Sequence, residues 1–162
     1  MEQIVLAGLN SRKGIPYLVF LVAVLVMPGN LLASGLSGQV VGVPNGTEII
    51  LLANNERRLR VTLAGIQVPR LAGQHATNTK RHLHTLLAGR FVTVEPIMHS
   101  PAGVILGRVL YGGSDIGLRL VQSGLAQVTD APTHIGPELQ TRYQRAEQEA
   151  RSRKMGYWQG IR

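Results

Sequence analysis

Five short β-strand patterns, with a single helical pattern between the third and the fourth, constrain the fold of this chain more than any other feature. The strand patterns cover residues 39–43, 48–52, 58–63, 91–98 and 104–111. The third is the clearest, because Arg58 to Leu63 alternates polar and apolar residues as a half-buried strand does. The helical pattern runs from Gln74 to Leu87 and ends before Gly89. This order of elements is the layout of an OB-type barrel.

Turn and helix-end residues support the same arrangement. Pro44-Asn45-Gly46-Thr47 predicts a tight turn between the first two strands, because Asn-Gly readily adopts the positive φ angles that such a turn requires. Asp115 can cap a short helix over 116–123, and Pro137 begins a last helix that ends near Gly156. We therefore predict an α+β fold, in which a five-stranded OB-type β-barrel carries three helices.

The first 35 residues differ in character from the rest of the chain. Two basic residues precede an uncharged run, 15–27, which a Pro-Gly pair ends, as is typical of a secretory signal peptide. Residues 15–33 are also long enough for a membrane anchor if they stay helical. Both interpretations place the folded domain across the membrane. We predict a signal peptide or hydrophobic membrane anchor in residues 1–35 and a folded domain in 36–162, either exported (periplasmic or extracellular) or membrane-anchored.

The charge balance favours an anionic partner. The chain has 17 basic and 9 acidic residues, a formal net charge of +8, and such a surface attracts nucleic acid, anionic lipid or an acidic protein. It has no cysteine, which excludes disulfides, zinc-thiolate sites and a thiol nucleophile. Five aromatic residues follow residue 35, fewer than a stacking surface for single-stranded nucleic acid usually carries. These are Phe91, Tyr111, Tyr143, Tyr157 and Trp158.

A set of ordered motifs points to one known family. The motifs are Gly38–Val41, Asn45-Gly46, Arg60–Ile66 with Pro69, Gly107-Arg108-Val109, Leu120–Val128 and Gly156-Tyr157-Trp158. With these motifs, the stretch from Ser37 to Trp158 resembles the staphylococcal nuclease (thermonuclease-like) family. The resemblance implies the same barrel. For an active member it also implies hydrolysis of nucleic-acid phosphodiesters with a calcium ion, two arginines and a glutamate.

The residues that the resemblance assigns to catalysis are all altered. The family's first turn normally reads Asp-Gly-Asp-Thr, whereas this chain reads Asn-Gly-Thr-Glu over 45–48. The two metal carboxylates, the glutamate and the two phosphate-binding arginines correspond in that order to Thr47, Gln67, Arg70, Thr62 and Val104. Metal binding needs carboxylates and the scissile phosphate needs fixed cations. We therefore expect no catalytic residues, no metal site and no cofactor.

Other charged residues provide a separate candidate site. Seven basic residues could form a patch: Arg57, Arg58, Arg60, Arg70, Lys80, Arg81 and Arg108. Of these, the arginines other than Arg81 are the residues that we expect to bind an anion or nucleic acid. Glu48 and Glu95 are isolated in the sequence, and neither has a visible partner for acid–base chemistry.

Three functions follow from these observations. The first is a non-catalytic nuclease-like OB domain, which acts as a binding or structural module with a protein partner in a membrane or envelope assembly. It would contact the membrane through residues 15–33 if these are not cleaved. The second is a divergent metal-dependent nuclease with a relocated site. The third is a nucleic-acid binder that does not cut.

Overall fold

A computed structural model of the protein describes residues 35–54, 56–69, 73–129 and 135–160. The strands are β1 Leu36–Asn45, β2 Glu48–Ala53, β3 Arg58–Leu63, β4 Ile66–Gln67, β5 Phe91–His99, β6 Val104–Tyr111, β7 Ser114–Asp115 and β8 Gln127–Val128. The helices are α1 Gly73–Leu87, α2 Ile116–Gln122 and α3 Pro137–Ser152, followed by a 3-10 helix over Gly156–Gly160. The predicted signal peptide or anchor lies outside the described residues, and so does Arg70.

Five strands form a closed barrel. The order is β3-β2-β1-β5-β6 with antiparallel neighbours, and β7 extends the edge next to β6. The barrel closes because β6 returns to pair in parallel with β3, from Arg60 opposite Val104 to Leu63 opposite Gly107. This closed five-stranded barrel with three helices confirms the predicted α+β fold of the OB type.

Strand alternation separates the core from the outer face of the barrel. In β3, Val61 and Leu63 are buried, whereas Arg58 and Arg60 face outward and are exposed. Strand β1 bends across the barrel, with register shifts on either side of Gly42. A glycine is needed earlier in β1, because a Cβ at Gly38 would overlap a backbone oxygen of β2.

The helices match the prediction at their starts better than at their ends. α1 packs through Thr79, Leu83 and Leu87, and Asp115 caps α2 as predicted, since its Oδ1 accepts from Leu118 N at 3.0 Å. α3 ends at Ser152 and not near Gly156, so the predicted end was wrong. After α3 the chain reverses direction at Lys154, which has a positive φ angle. It then passes close to Gly124, whose carbonyl oxygen accepts a hydrogen bond from Tyr157 N of the 3-10 helix.

Two further features of the described chain bear on its organisation. The short strands β4 and β8 pair with each other, and the sequence did not predict either of them. Within the residues that the structure describes, no helix is long and apolar enough to cross a membrane.

Candidate functional site

The β1–β2 turn is held in place on three sides. Asn45 Oδ1 accepts hydrogen bonds from Thr47 N at 2.9 Å and from Thr47 Oγ1 at 3.2 Å. Leu63 N donates to Thr47 O at 2.8 Å, which ties the turn to the end of β3. On the third side the turn packs so closely on α1 that a Cβ at Gly46 would lie 2.8 Å from Thr79 Cγ2. The turn therefore has little freedom to rearrange around a ligand.

This turn, the β4 segment and α1 line an open cleft of about 390 Å³, which we call the turn cleft. It is lined by Pro44, Asn45, Gly46, Thr47, Ile66, Gln67, Val68, Ala76, Thr77 and Lys80. The structure thus brings together Thr47 and Gln67, the positions that the resemblance assigns to the two metal carboxylates. No acidic side chain is among the described residues that line the cleft. Gln67 also lines a second cavity, on the side of β8 and α3.

The two positions of the family's phosphate-binding arginines lie on neighbouring strands, β3 and β6, of the barrel. Thr62 is opposite Glu48 of β2 and also opposite Leu106 of β6. Val104 begins β6 and is opposite Arg60. A hydroxyl and an isopropyl group therefore stand where an active member carries two guanidinium groups.

The predicted anion-binding arginines have different surroundings. Arg57, Arg58 and Arg60 are exposed. The side chains of Arg58 and Arg60 make no hydrogen bond or ion pair within the described part of the chain. Their role as an anion-binding group stays a prediction.

Arg108, in contrast, is engaged by two carboxylates. Its Nη1 lies 2.6 Å from Glu95 Oε2, and its Nε lies 3.0 Å from Asp115 Oδ2. Glu95, which is isolated in the sequence, gains this ion pair because the β5–β6 register places it opposite Arg108. Burial opposes the charge of Arg108, but the hydrogen bond to Asp115 and the two nearby carboxylates leave its pKa raised. Its positive charge is therefore largely compensated within the fold.

Asp115 is the centre of a buried polar network that lies outside the turn cleft. Its Oδ1 accepts from the hydroxyl of Tyr143 at 2.8 Å and from Leu118 N at 3.0 Å, while its Oδ2 accepts from Arg108. Burial, together with the neighbouring carboxylate, raises the pKa of the Tyr143 hydroxyl well above its ordinary value. The network joins the barrel to α2 and α3.

The described residues provide no acidic centre for a metal ion. Nowhere in the described ranges do three or more His, Asp or Glu side chains lie together in an arrangement that could hold one. Lys80, one of the seven basic residues that could form a patch, lies at the turn cleft. Only the packing of α1 against the turn brings it there, and the sequence carries no direct signal of that contact.

Comparison with known proteins agrees with the fold. The profile of the family described as "Staphylococcal nuclease homologue" matches residues 60–160. The chain is 31% identical over 120 residues to "Probable endonuclease LCL3" of Uncinocarpus reesii, covering 65% of this chain and 40% of that protein. It is 29% identical over 120 residues to the protein of the same name from Coccidioides posadasii, with 65% and 39% covered. An "Uncharacterized endonuclease" of Escherichia coli is 28% identical over 150 residues, with 91% and 90% covered. The chain thus spans about two fifths of these fungal relatives.

Proposed function

The chain belongs to the staphylococcal nuclease family, and we propose that it is a non-catalytic member of that family, which binds a partner and does not hydrolyse nucleic acid. One observation carries the proposal: the turn cleft presents neutral side chains where the family places its charges. The relatives are named endonucleases, and that activity is a property of those proteins.

The residues of the turn cleft do not fit a calcium ion. Calcium takes six to eight oxygen ligands, and negatively charged carboxylates supply much of the affinity. Here Thr47 offers a hydroxyl that already donates to Asn45, and Gln67 offers a neutral amide. Lys80 adds a positive charge to the same cavity, which repels a cation further.

The groups that would stabilise the phosphate and activate water during hydrolysis are also missing. Hydrolysis develops negative charge on the phosphate oxygens, and loss of one preorganised donor costs about 10²–10³ in rate. Thr62 and Val104 cannot replace two guanidinium groups. At the position of the glutamate, which would activate or position the attacking water, this chain has Arg70, of opposite charge. Because all five positions are altered, none of the charged groups that the family's mechanism requires is present at its usual position.

A nuclease assay on the full chain tests the proposal. Single-stranded DNA and RNA are incubated with the protein in calcium and then in magnesium, and we expect no metal-dependent cleavage. Glu48, next to Thr47 and opposite Thr62, is the acid nearest to the altered positions in the sheet register, so Glu48→Gln is the matched control. Cleavage by the wild type that chelation stops and Glu48→Gln abolishes would refute the proposal and establish a relocated nuclease site.

A reconstruction variant makes the same test in the opposite direction. It combines Thr47→Asp, Thr62→Arg, Gln67→Asp, Arg70→Glu and Val104→Arg in the same chain. If the frame is intact and only the charges are missing, this variant gains calcium-dependent cleavage above the wild type.

The partner and location belong to the same proposal. The uncharged run over residues 15–33 and the basic surface support a domain that is exported or membrane-tethered and serves as an accessory subunit of a membrane or envelope assembly. Sequencing the N-terminus of the protein from cells separates a cleaved signal from an anchor. Digestion of the domain by external protease in spheroplasts tests its location, and full protection there would contradict export.

Non-cutting nucleic-acid binding is the second candidate, because Arg58 and Arg60 are exposed and have no ion pair in the described chain. If both arginines contact phosphates of a single strand, the double variant Arg58→Gln with Arg60→Gln binds with a weaker salt dependence. The negative slope of log K against log salt becomes shallower by about 1.4. An unchanged slope would exclude these two residues from the interface.

A further inference from the structure

We infer that the turn cleft is a binding site for a phosphate group, in the place where an active relative would hold its metal ion. The ligand is a free phosphate ion or the terminal group of a phosphate monoester. This inference rests on the proposed function, because in a cleft that held a divalent cation a phosphate would bind through the cation and not through Lys80. An active relative holds a metal cation in this cleft, whereas this chain would hold an anion there.

The polar groups of the cleft are mainly hydrogen-bond donors. Lys80 supplies an ammonium group with three donors, and it makes no hydrogen bond or ion pair within the described residues. Asn45 Oδ1 already accepts two hydrogen bonds from Thr47, so the side-chain NH₂ of Asn45 is the part left to donate. The amide of Gln67 has no partner among the described residues and can turn its NH₂ toward an anion.

The charge of the cleft is uncompensated in the described structure. No acidic side chain is among the described residues of its lining, and Glu48 is not part of it although it follows Thr47. The positive charge of Lys80 therefore acts in a cavity whose other polar groups are neutral. A partly enclosed site with one sign of charge concentrates ions of the opposite sign.

The walls of the cleft are already in place before a ligand binds. Gly46 packs against Thr79 and Val68 without room for a Cβ. Thr79 Oγ1 in turn lies 2.9 Å from His75 O and 2.7 Å from Leu125 O. Its single proton serves these two carbonyl groups, and the contact with Leu125 holds α1 against the rest of the domain. A preformed site avoids the cost of ordering its groups on binding. The volume of about 390 Å³ lies within the range of small-molecule pockets.

Calorimetric titration of the full chain with sodium phosphate, with chloride as the reference at equal ionic strength, tests the site. We expect saturable binding with a dissociation constant in the millimolar range. Lys80→Gln removes a charged hydrogen bond and should weaken binding about tenfold or more. Gln67→Glu places a carboxylate beside Lys80, and we expect it to abolish binding.

Arg81→Gln is the matched control. Arg81 is the next residue of α1, carries the same charge, is exposed and lines a different cavity with Asn78 and His82. We expect phosphate affinity to be unchanged in this variant. Circular dichroism shows that each variant is folded before it is titrated.

Two results would overturn the inference. Equal weakening by Lys80→Gln and Arg81→Gln would mean that phosphate senses only the overall charge of the protein, and this would leave the proposed lack of catalysis intact. Saturable calcium binding by the wild type, with phosphate binding that requires the calcium, would refute both the inference and the proposed function. A parallel titration with glycerol 3-phosphate distinguishes the sources: equal or tighter Lys80-dependent binding identifies a phosphate monoester, whereas binding of inorganic phosphate alone identifies the free ion.

Discussion

Replacement of Asp115 by alanine tests the contacts that join the barrel to α2 and α3. The side chain of Asp115 is 7% exposed, and the variant loses its hydrogen bonds to Tyr143, Leu118 and Arg108 together. Loss of the helix cap costs about 1 kcal/mol. The Tyr143 hydroxyl is left buried and unpaired, which costs about 1–3 kcal/mol more. Arg108 is 26% exposed and keeps Glu95, so its contribution is smaller.

The expected loss in the free energy of unfolding is therefore about 2–5 kcal/mol. Urea unfolding followed by circular dichroism measures it, with the slope m of the wild type as the check on two-state behaviour. Asp115→Asn keeps the shape and the acceptor of the cap and should lose distinctly less. Glu149→Ala, an exposed change on α3, should stay within about 0.5 kcal/mol. A loss below about 1 kcal/mol for Asp115→Ala at unchanged m would refute the reasoning.

Three further outcomes follow from the structure. The pKa of the Tyr143 hydroxyl is raised in the fold, so its contribution is complete below about pH 10 and is lost at higher pH; Tyr143→Phe should lessen the alkaline decline of the urea midpoint. Gly124→Ala should cost about 2 kcal/mol or more, because its Cβ would overlap backbone, whereas Gly103→Ala, with a similar positive φ but open space, should cost only about 1 kcal/mol; equal losses in thermal unfolding would contradict this. Thr47→Asp with Gln67→Asp should create measurable calcium affinity in calorimetry, which the wild type and each single variant lack.

The parts of the fold that local patterns specify could be predicted from the sequence. β3 and β6 have the predicted limits, because polar–apolar alternation marks their faces and turn residues mark their ends. The Asp115 cap was also predicted, since it needs only the residues next to it. The end of α3 was not, because it depends on the approach of Gly124 from another part of the chain.

The candidate site, too, has features that the sequence predicted and features that it did not. That Thr47 and Gln67 share a cavity agrees with the resemblance, which relates both to metal ligands. The position of Lys80 in the cleft and the Glu95–Arg108 pair were not predicted, because each depends on contacts between elements that are separate in sequence. The missed features are electrostatic, and their positions follow from the packing of α1 and from the register of β5 with β6.

The parallel contact between β3 and β6 also bears on how the chain folds. These two strands are separated in the sequence by α1 and β5, so bringing them together costs loop-closure entropy before any contact forms. We expect this seam to form late. Until it forms, both strands expose unpaired backbone edges that can pair with another chain, so refolding at high protein concentration should favour aggregation. Once the barrel is closed, those edges are no longer available.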